Sequence, residues 1–222
     1  MQKVFAAVVS LFAVPAMPAA ACDLALVLAV DVSGSVDNPE YRLQMDGLAA
    51  ALRDPLISEA LVRGRAQIML LQWTGTNRQR VTVPWTEMSD FEAVEKLAAA
   101  VSADARVWRN YSTAIGEALI ASLDAFPDDQ RCKRRLIDVS GDGVSNEGAP
   151  PTGVRDRLAG AGVVVNAIAI EESEPDLTAY FYENLIFGEG AFVVSAATFE
   201  DYPAKIRLKL LREVTQQTAY VR

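Results

Sequence analysis

The sequence predicts an α/β fold with a mainly parallel, doubly wound, Rossmann-like sheet, helices on both faces and one antiparallel edge strand. Short apolar runs without polar alternation, typical of strands buried on both faces, alternate with amphipathic stretches of helical spacing. Two of these runs end in aspartate, serine and glycine, as binding loops at strand ends do. No repeat, low-complexity tract or linker divides the chain, so we expect one domain over residues 22–222.

The strands are predicted from these apolar runs. Most are continuous, whereas the run at 80–85 alternates polar and apolar residues and follows a turn at 74–78, which indicates an edge strand paired with its predecessor. The predicted strands are 24–30, 66–73, 80–85, 135–139, 163–170 and 191–195.

The helices are predicted from apolar residues repeating at three- and four-residue spacing. Asn38-Pro39-Glu40 is typical of a cap and first turn, and Pro127 ends a later helix. The predicted helices are 38–52, 90–101, 114–126, 152–158, 176–186 and 199–215.

The first 21 residues have the order of a secretory signal peptide. Lys3 precedes an apolar run that Pro15 and Pro18 interrupt, and small residues at 19–21 suit cleavage before Cys22. We therefore expect a periplasmic or secreted protein with no stable transmembrane anchor. Lipoprotein anchoring at Cys22 is the alternative, although Ala19 stands where a large aliphatic residue is usual.

Composition excludes several classes of function. The formal net charge of −8 argues against a nucleic-acid partner, which needs a basic face. The chain has no histidine, which removes Ser-His-Asp and Cys-His hydrolases and imidazole zinc sites.

Two strands end in a carboxylate beside small residues. Asp31 is followed by Ser33 and Ser35, and Asp142 lies between two glycines. In an open α/β sheet such strand ends meet where ligands bind. Two carboxylates there repel each other, and a divalent cation between them removes the repulsion while the hydroxyls supply neutral oxygen ligands.

These segments resemble the von Willebrand factor A (vWA) family. Asp31-x-Ser33-x-Ser35 is similar to the first segment of its metal-ion-dependent adhesion site. Ser112-Thr113-Ala114-Ile115-Gly116-Glu117-Ala118-Leu119 is similar to the second, in which a threonine precedes a helix, and Val139-Ser140-Gly141-Asp142-Gly143 to the third. The three occur in the family's order across the mature chain. Many members carry a hydroxyl residue directly before the third-segment acid, whereas here Gly141 stands there.

The resemblance implies a metal set of Asp31, Ser33, Ser35, Thr113 and Asp142, with Mg²⁺ as the ion and Mn²⁺ or Ca²⁺ as alternatives. It implies direct binding by the serines, water-mediated contributions from the acids, and one position left for a carboxylate of a protein partner. The implied function is a non-enzymatic, exported adhesion or binding module.

The resemblance also makes the first and fourth strands parallel neighbours. Cys22 and Cys132 precede those strands by similar lengths, on the edge away from the metal, so a disulfide between them is implied. Two unrelated buried thiols are the alternative.

Other interpretations remain open at this stage. A metal-assisted phosphate or ester hydrolase could use the same strand ends, but residue 33 is serine where aspartyl-phosphate enzymes carry a second aspartate. A nucleotide-binding Rossmann domain lacks its glycine fingerprint and any P-loop. The segment 108–111 precedes Thr113 and is a candidate ligand rim, as are Asn146 and Glu147, whereas the basic residues 131–135 are expected on the side away from the ion.

Overall fold

The computed structural model describes residues 22–128 and 132–215, so the predicted signal peptide at 1–21 lies outside the described residues. These residues form a six-stranded sheet in the order β3-β2-β1-β4-β5-β6. All neighbours pair in parallel except β2 and β3, which are antiparallel, as predicted. The strands are β1 Leu24–Asp31, β2 Gln67–Trp73, β3 Gln79–Glu87, β4 Arg134–Gly141, β5 Val163–Ile170 and β6 Val193–Ala196.

The helices follow the predicted segments with one addition. The helix Pro55–Arg63 was not predicted, because it begins directly after another helix and the sequence offers only a short turn between them; Asp54 caps it by accepting the Leu56 amide at 2.9 Å. The helices are α1 Asn38–Leu52, α2 Pro55–Arg63, α3 Phe91–Ala103, α4 Ile115–Asp124, α5 Arg155–Ala161 after a 3₁₀ turn at Pro151–Val154, α6 Leu177–Asn184 and α7 Tyr202–Thr215.

The start of α1 differs in one detail from the prediction. Asp37 caps the helix, and Asn38 is its first residue. The Asp37 carboxylate accepts the Glu40 amide at 2.8 Å, and Glu40 accepts the Asp37 amide in return, which satisfies two free donors at once. This capping box fixes the point at which the chain turns from β1 into α1.

Apolar residues on the two faces of the sheet form two cores. All eight residues of β1 are buried, with Leu26 and Leu28 in the core beneath α1, α3 and α7, and Val27 and Ala29 in the core beneath α4, α5 and α6. This confirms strands covered on both faces.

The start of the central strands is tied by a disulfide. Cys22 and Cys132 are bonded, with their Cα atoms 4.5 Å apart, and β1 and β4 are parallel neighbours, as the family resemblance implies. The bridge lies at the edge of the sheet opposite Asp31. Across the described ranges, none of the helices combines the length and apolarity needed to cross a membrane.

Candidate metal site

The pairing of β1 with β4 brings the two acidic strand ends together. Val30 is paired with Ser140, so Asp31 lies beside Gly141, and Asp142 follows directly. β4 continues two residues beyond its predicted end at Val139, and this extension carries Asp142 to the same edge as Asp31.

Four of the five predicted metal residues form one hydrogen-bonded group. The Ser35 hydroxyl donates to Asp142 Oδ1 at 2.7 Å, and the Ser33 amide donates to Asp31 Oδ1 at 2.7 Å. The Ser33 and Ser35 hydroxyl oxygens are 3.2 Å apart. The loop after β1 thus connects the two carboxylates through its serines.

Thr113 approaches this group from the loop before α4. It is buried, and its Oγ1 lies 3.8 Å from where a Cβ on Gly143 would stand. Asn146 holds its backbone, accepting the Thr113 amide at 2.9 Å through Oδ1 and donating its own amide to the Thr113 carbonyl at 2.9 Å. Helix α4 has no side-chain cap, so neither Thr113 nor Ser112 serves as one.

Gly141 has a steric role at its unusual position. A Cβ there would lie 3.1 Å from Asp31 Oδ2, so glycine lets the Asp31 carboxylate lie close against β4. Ser140, the hydroxyl residue before it, turns away from the site and donates to Gln44 Oε1 at 3.2 Å. The departure from the family pattern therefore leaves Asp142 at the site and removes Ser140 from it.

The two carboxylates are almost fully buried and incompletely satisfied. Burial, and then the charge of Asp142, raises the pKa of Asp31 to about 8, while the Ser33 amide lowers it. Burial also raises the pKa of Asp142, against the hydrogen bond from Ser35. The Oδ2 atoms of both side chains are buried without a hydrogen-bond partner. Unpaired buried carboxylate oxygens are costly unless a cation or donor compensates them.

Two residues that support the site were missed in the sequence. Arg106 donates through Nη2 to the carbonyls of Val32 and Ser33, at 3.1 and 2.8 Å. Gln44 lies 3.5 Å from the Asp31 carbonyl through Nε2. Gln44 is fully buried on the core-facing side of α1, so a polar residue among apolar ones was the signal in the sequence that could have identified it. No local sequence pattern distinguished Arg106.

The predicted rim segments lie around the site. The Gly34 amide donates to the Tyr111 carbonyl at 2.8 Å, which places 108–111 against the serine loop, and Arg78 stacks 3.9 Å from the Tyr111 ring centroid. Glu147 accepts the Thr76 amide at 3.1 Å. The described residues of the basic segment start β4 at the opposite edge, where Lys133 pairs with Asp23.

The donor set is composed of carboxylate and hydroxyl oxygens, which hard divalent cations prefer. Within the described ranges, His, Cys, Asp and Glu form no cluster of three or more with metal-binding geometry. The oxygen atoms that lie beside Asp31 and Asp142 at this edge include the hydroxyls of Ser33 and Ser35.

Comparisons agree on the fold. A family described as protein of unknown function DUF1194 matches residues 21–218. Proximal thread matrix protein 1 from the mussel byssus has 20% identity and a TM-score of 0.67 over 86% of this chain and 49% of its own. Its form with a zinc-occupied MIDAS motif has 20% identity and a TM-score of 0.63, covering 88% and 49%. A von Willebrand factor type A protein from Catenulispora acidiphila has 17% identity and a TM-score of 0.63, covering 88% and 44%.

The fold is therefore the vWA fold, as the sequence motifs indicated. The chain spans about half the length of these solved structures. No curated protein matches the sequence.

Proposed function

This chain belongs to the DUF1194 family, and on that premise we propose that it is an exported binding module that engages a carboxylate of a partner protein through a divalent cation. The observation that carries the proposal is the pair of buried, unpartnered Oδ2 atoms on Asp31 and Asp142. Two carboxylates without an ion-paired partner among the described residues, beside serine hydroxyls, form a site that a cation would complete.

The residues proposed to hold the ion are Asp31, Ser33, Ser35, Thr113 and Asp142. Mg²⁺ suits a small oxygen site that keeps waters in its shell, and Mn²⁺ and Ca²⁺ are alternatives. The mussel protein with zinc in its MIDAS motif supports a divalent ion at this place in the fold. When bound, the ion would supply positive charge and an exchangeable position to which an acidic group can bind.

Two arginines near the site favour an anionic ligand group, while the charge of Glu172, which acts on Asp142, opposes it. Arg106 lies against the serine loop, with its guanidinium donating to two carbonyls there, and burial, followed by the neighbouring charge of Arg109, lowers the pKa of Arg106. These two positive charges add to that of the ion. A partner's aspartate or glutamate would meet favourable charge from both sources.

Export is part of the proposal. The disulfide between Cys22 and Cys132 suits the periplasm or the exterior, where such bonds persist. Cleavage of residues 1–21 would leave Cys22 at the new N-terminus, and the bridge would anchor that terminus to the start of β4. N-terminal sequencing of the exported protein tests this directly, because a chain beginning at Met1 would contradict it.

Calorimetric titration with Mg²⁺ and Mn²⁺ tests the ion. We expect one bound ion per chain in the wild type and loss of binding in Asp142→Asn, which keeps the shape but removes the charge. Asp201→Asn, an exposed carboxylate outside the site, is the matched control and should bind as the wild type does. Equal binding by Asp142→Asn would place the ion elsewhere.

Capture of envelope proteins tests the partner. Wild-type protein should retain a partner in Mg²⁺ and release it in EDTA, whereas Ser33→Ala should not retain it. Retention that is indifferent to EDTA would contradict metal-dependent binding. Hydrolysis of generic phosphate or ester substrates by the wild type, lost in Asp142→Asn, would favour the metal-assisted hydrolase instead.

A further inference from the structure

Strand β6 leaves a backbone edge open at one end of the sheet. The carbonyls of Phe192 and Ala196 accept the amides of Ala167 in β5 and of Glu171 directly after it, at 3.1 and 2.9 Å. Because alternate residues of a strand face opposite neighbours, the backbone groups of Val193 and Ser195 point away from β5. In the sheet of the described residues, β6 is the last strand on this side.

The two edges of the sheet differ in their protection. β3, at the other edge, contains Arg80 and Pro84 and two register shifts, all of which discourage the addition of another strand. The β6 sequence is Val-Val-Ser-Ala, with neither proline, charge nor bulge. β6 is therefore the edge to which an extended segment can pair.

A groove of about 540 Å³ lies beside the start of β6, between this strand and α6. Val193 and Tyr182 line it, and 68% of Tyr182 is exposed, whereas the ring of the neighbouring Phe192 packs against Arg212 of α7 at 3.7 Å. An extended chain has alternate side chains on opposite faces, so one side chain in every two could enter this groove.

The charge around the groove selects among occupants. Glu171, Asp176 and Glu183 line it, and no lysine or arginine among the described residues forms an ion pair with any of their carboxylates. Arg155 reaches only the backbone carbonyl of Glu183, at 2.7 Å, and the Glu171 carboxylate accepts the Thr178 amide at 3.0 Å. A second copy of this chain would bring the same carboxylates into contact, and like charges disfavour that pairing. A segment carrying lysine or arginine would gain ion pairs instead.

We propose that β6 and the adjacent groove bind an extended, basic segment of a partner protein by strand addition. Main-chain hydrogen bonds to Val193 and Ser195 would supply affinity, and the three carboxylates would select basic side chains. The surface contains none of the residues proposed to hold the metal, so binding of the basic segment to it should persist in EDTA. The proposal does not depend on the proposed metal function.

The probe is a fluorescein-labelled peptide of alternating lysine and valine, six residues long, with an alternating glutamate–valine peptide as its counterpart. Fluorescence anisotropy at low salt should show saturable binding of the lysine peptide, at least about tenfold tighter than the glutamate peptide. Hydrogen exchange should slow selectively at the amides of Val193 and Ser195. Equal binding of both peptides, or unchanged exchange at β6, would overturn the proposal.

Two sets of variants separate the edge from the charge. Val193→Pro removes one outward amide and no bond to β5, and it should abolish binding. Asp176→Asn with Glu183→Gln should weaken binding about tenfold, whereas Glu59→Gln with Glu200→Gln, which removes two exposed charges elsewhere, should leave it within twofold. Unchanged binding in Val193→Pro overturns the proposal. If the wild type self-associates and Val193→Pro does not, the β6 edge binds a second copy of this chain, and the proposal of a basic partner segment is overturned.

Discussion

This molecule contains two pairs of buried carboxylates that differ in whether a basic side chain forms an ion pair with them. Asp138 and Glu213 share the ammonium of Lys209, and all three side chains are almost fully buried. Asp31 and Asp142 are buried to the same degree, yet no lysine or arginine of the described residues forms an ion pair with either of them. Asp138 lies on β4, and Asp142 directly follows the same strand.

The difference separates a structural role from a binding role. Lys209 supplies a permanent counter-charge, and Asn166 adds a hydrogen bond to Glu213 at 2.8 Å, so this group joins α7 to β4 and β5 from within. At the strand ends the chain supplies hydroxyls and amides, and Arg106 reaches only the carbonyls of Val32 and Ser33 rather than either carboxylate. The missing charge there is what an external cation would provide.

The largest effect is expected from removing the internal cation. Lys209→Met would leave Asp138 and Glu213 buried without a counter-charge, and breaking such a group costs about 3–5 kcal/mol of unfolding free energy. Urea unfolding of the wild type and Lys209→Met, with EDTA present, measures this difference in unfolding free energy.

The matched control neutralises the whole group. Lys209→Met combined with Asp138→Asn and Glu213→Gln should recover much of the loss, because no uncompensated charge remains. A triple variant as unstable as Lys209→Met would mean that packing rather than charge determines the effect.

A somewhat smaller effect is expected from pH. Burial, and then the charge of Asp138, raises the pKa of Glu213 from 4.5 to about 7. Below about pH 4.5 the Glu213 carboxyl is protonated in both the folded and the unfolded state. Between pH 4.5 and about pH 7 it is protonated only in the folded state. The unfolding free energy therefore falls as pH rises through this window, on the order of 3 kcal/mol in total.

Comparing the wild type with Glu213→Gln at pH 5 and pH 8 isolates this contribution. The difference in unfolding free energy between the two proteins should favour the wild type more at pH 5 than at pH 8. Glu59→Gln, an exposed and unpaired site, should show no such trend. A difference independent of pH would contradict a proton held at Glu213.

The same comparison explains what the sequence could and could not predict. Asp31 and Asp142 could be recognised because each follows an apolar run, and the end of a buried strand marks a binding edge. Lys209 and Glu213 stand four residues apart on an amphipathic helix, where such a pair usually indicates a solvated face. Their burial depends on how α7 packs against Asp138 and Asn166, which no local pattern records. Arg106 was missed for the same reason.

Metal addition should sharpen the contrast between the two pairs. At about 100 times its dissociation constant, Mg²⁺ should raise the unfolding free energy of the wild type by about 2.7 kcal/mol. Asp142→Asn should gain nothing, whereas Lys209→Met should gain as much as the wild type, because its metal residues are intact. Stabilisation of Asp142→Asn by the ion would contradict the assignment of the external cation to this site.

The smallest effect is expected at Gln44, which contacts the backbone of Asp31 from α1. Its amide contacts the Asp31 carbonyl, and its Oε1 accepts the Ser140 hydroxyl. Gln44→Met keeps the volume and removes both contacts, so we expect a loss of about 1 kcal/mol in stability and a roughly tenfold weaker Mg²⁺ affinity. Gln67→Met, at the other end of the sheet, should change neither. If Gln44→Met altered stability but left the Mg²⁺ affinity unchanged, Gln44 would stabilise the fold without positioning the metal residues.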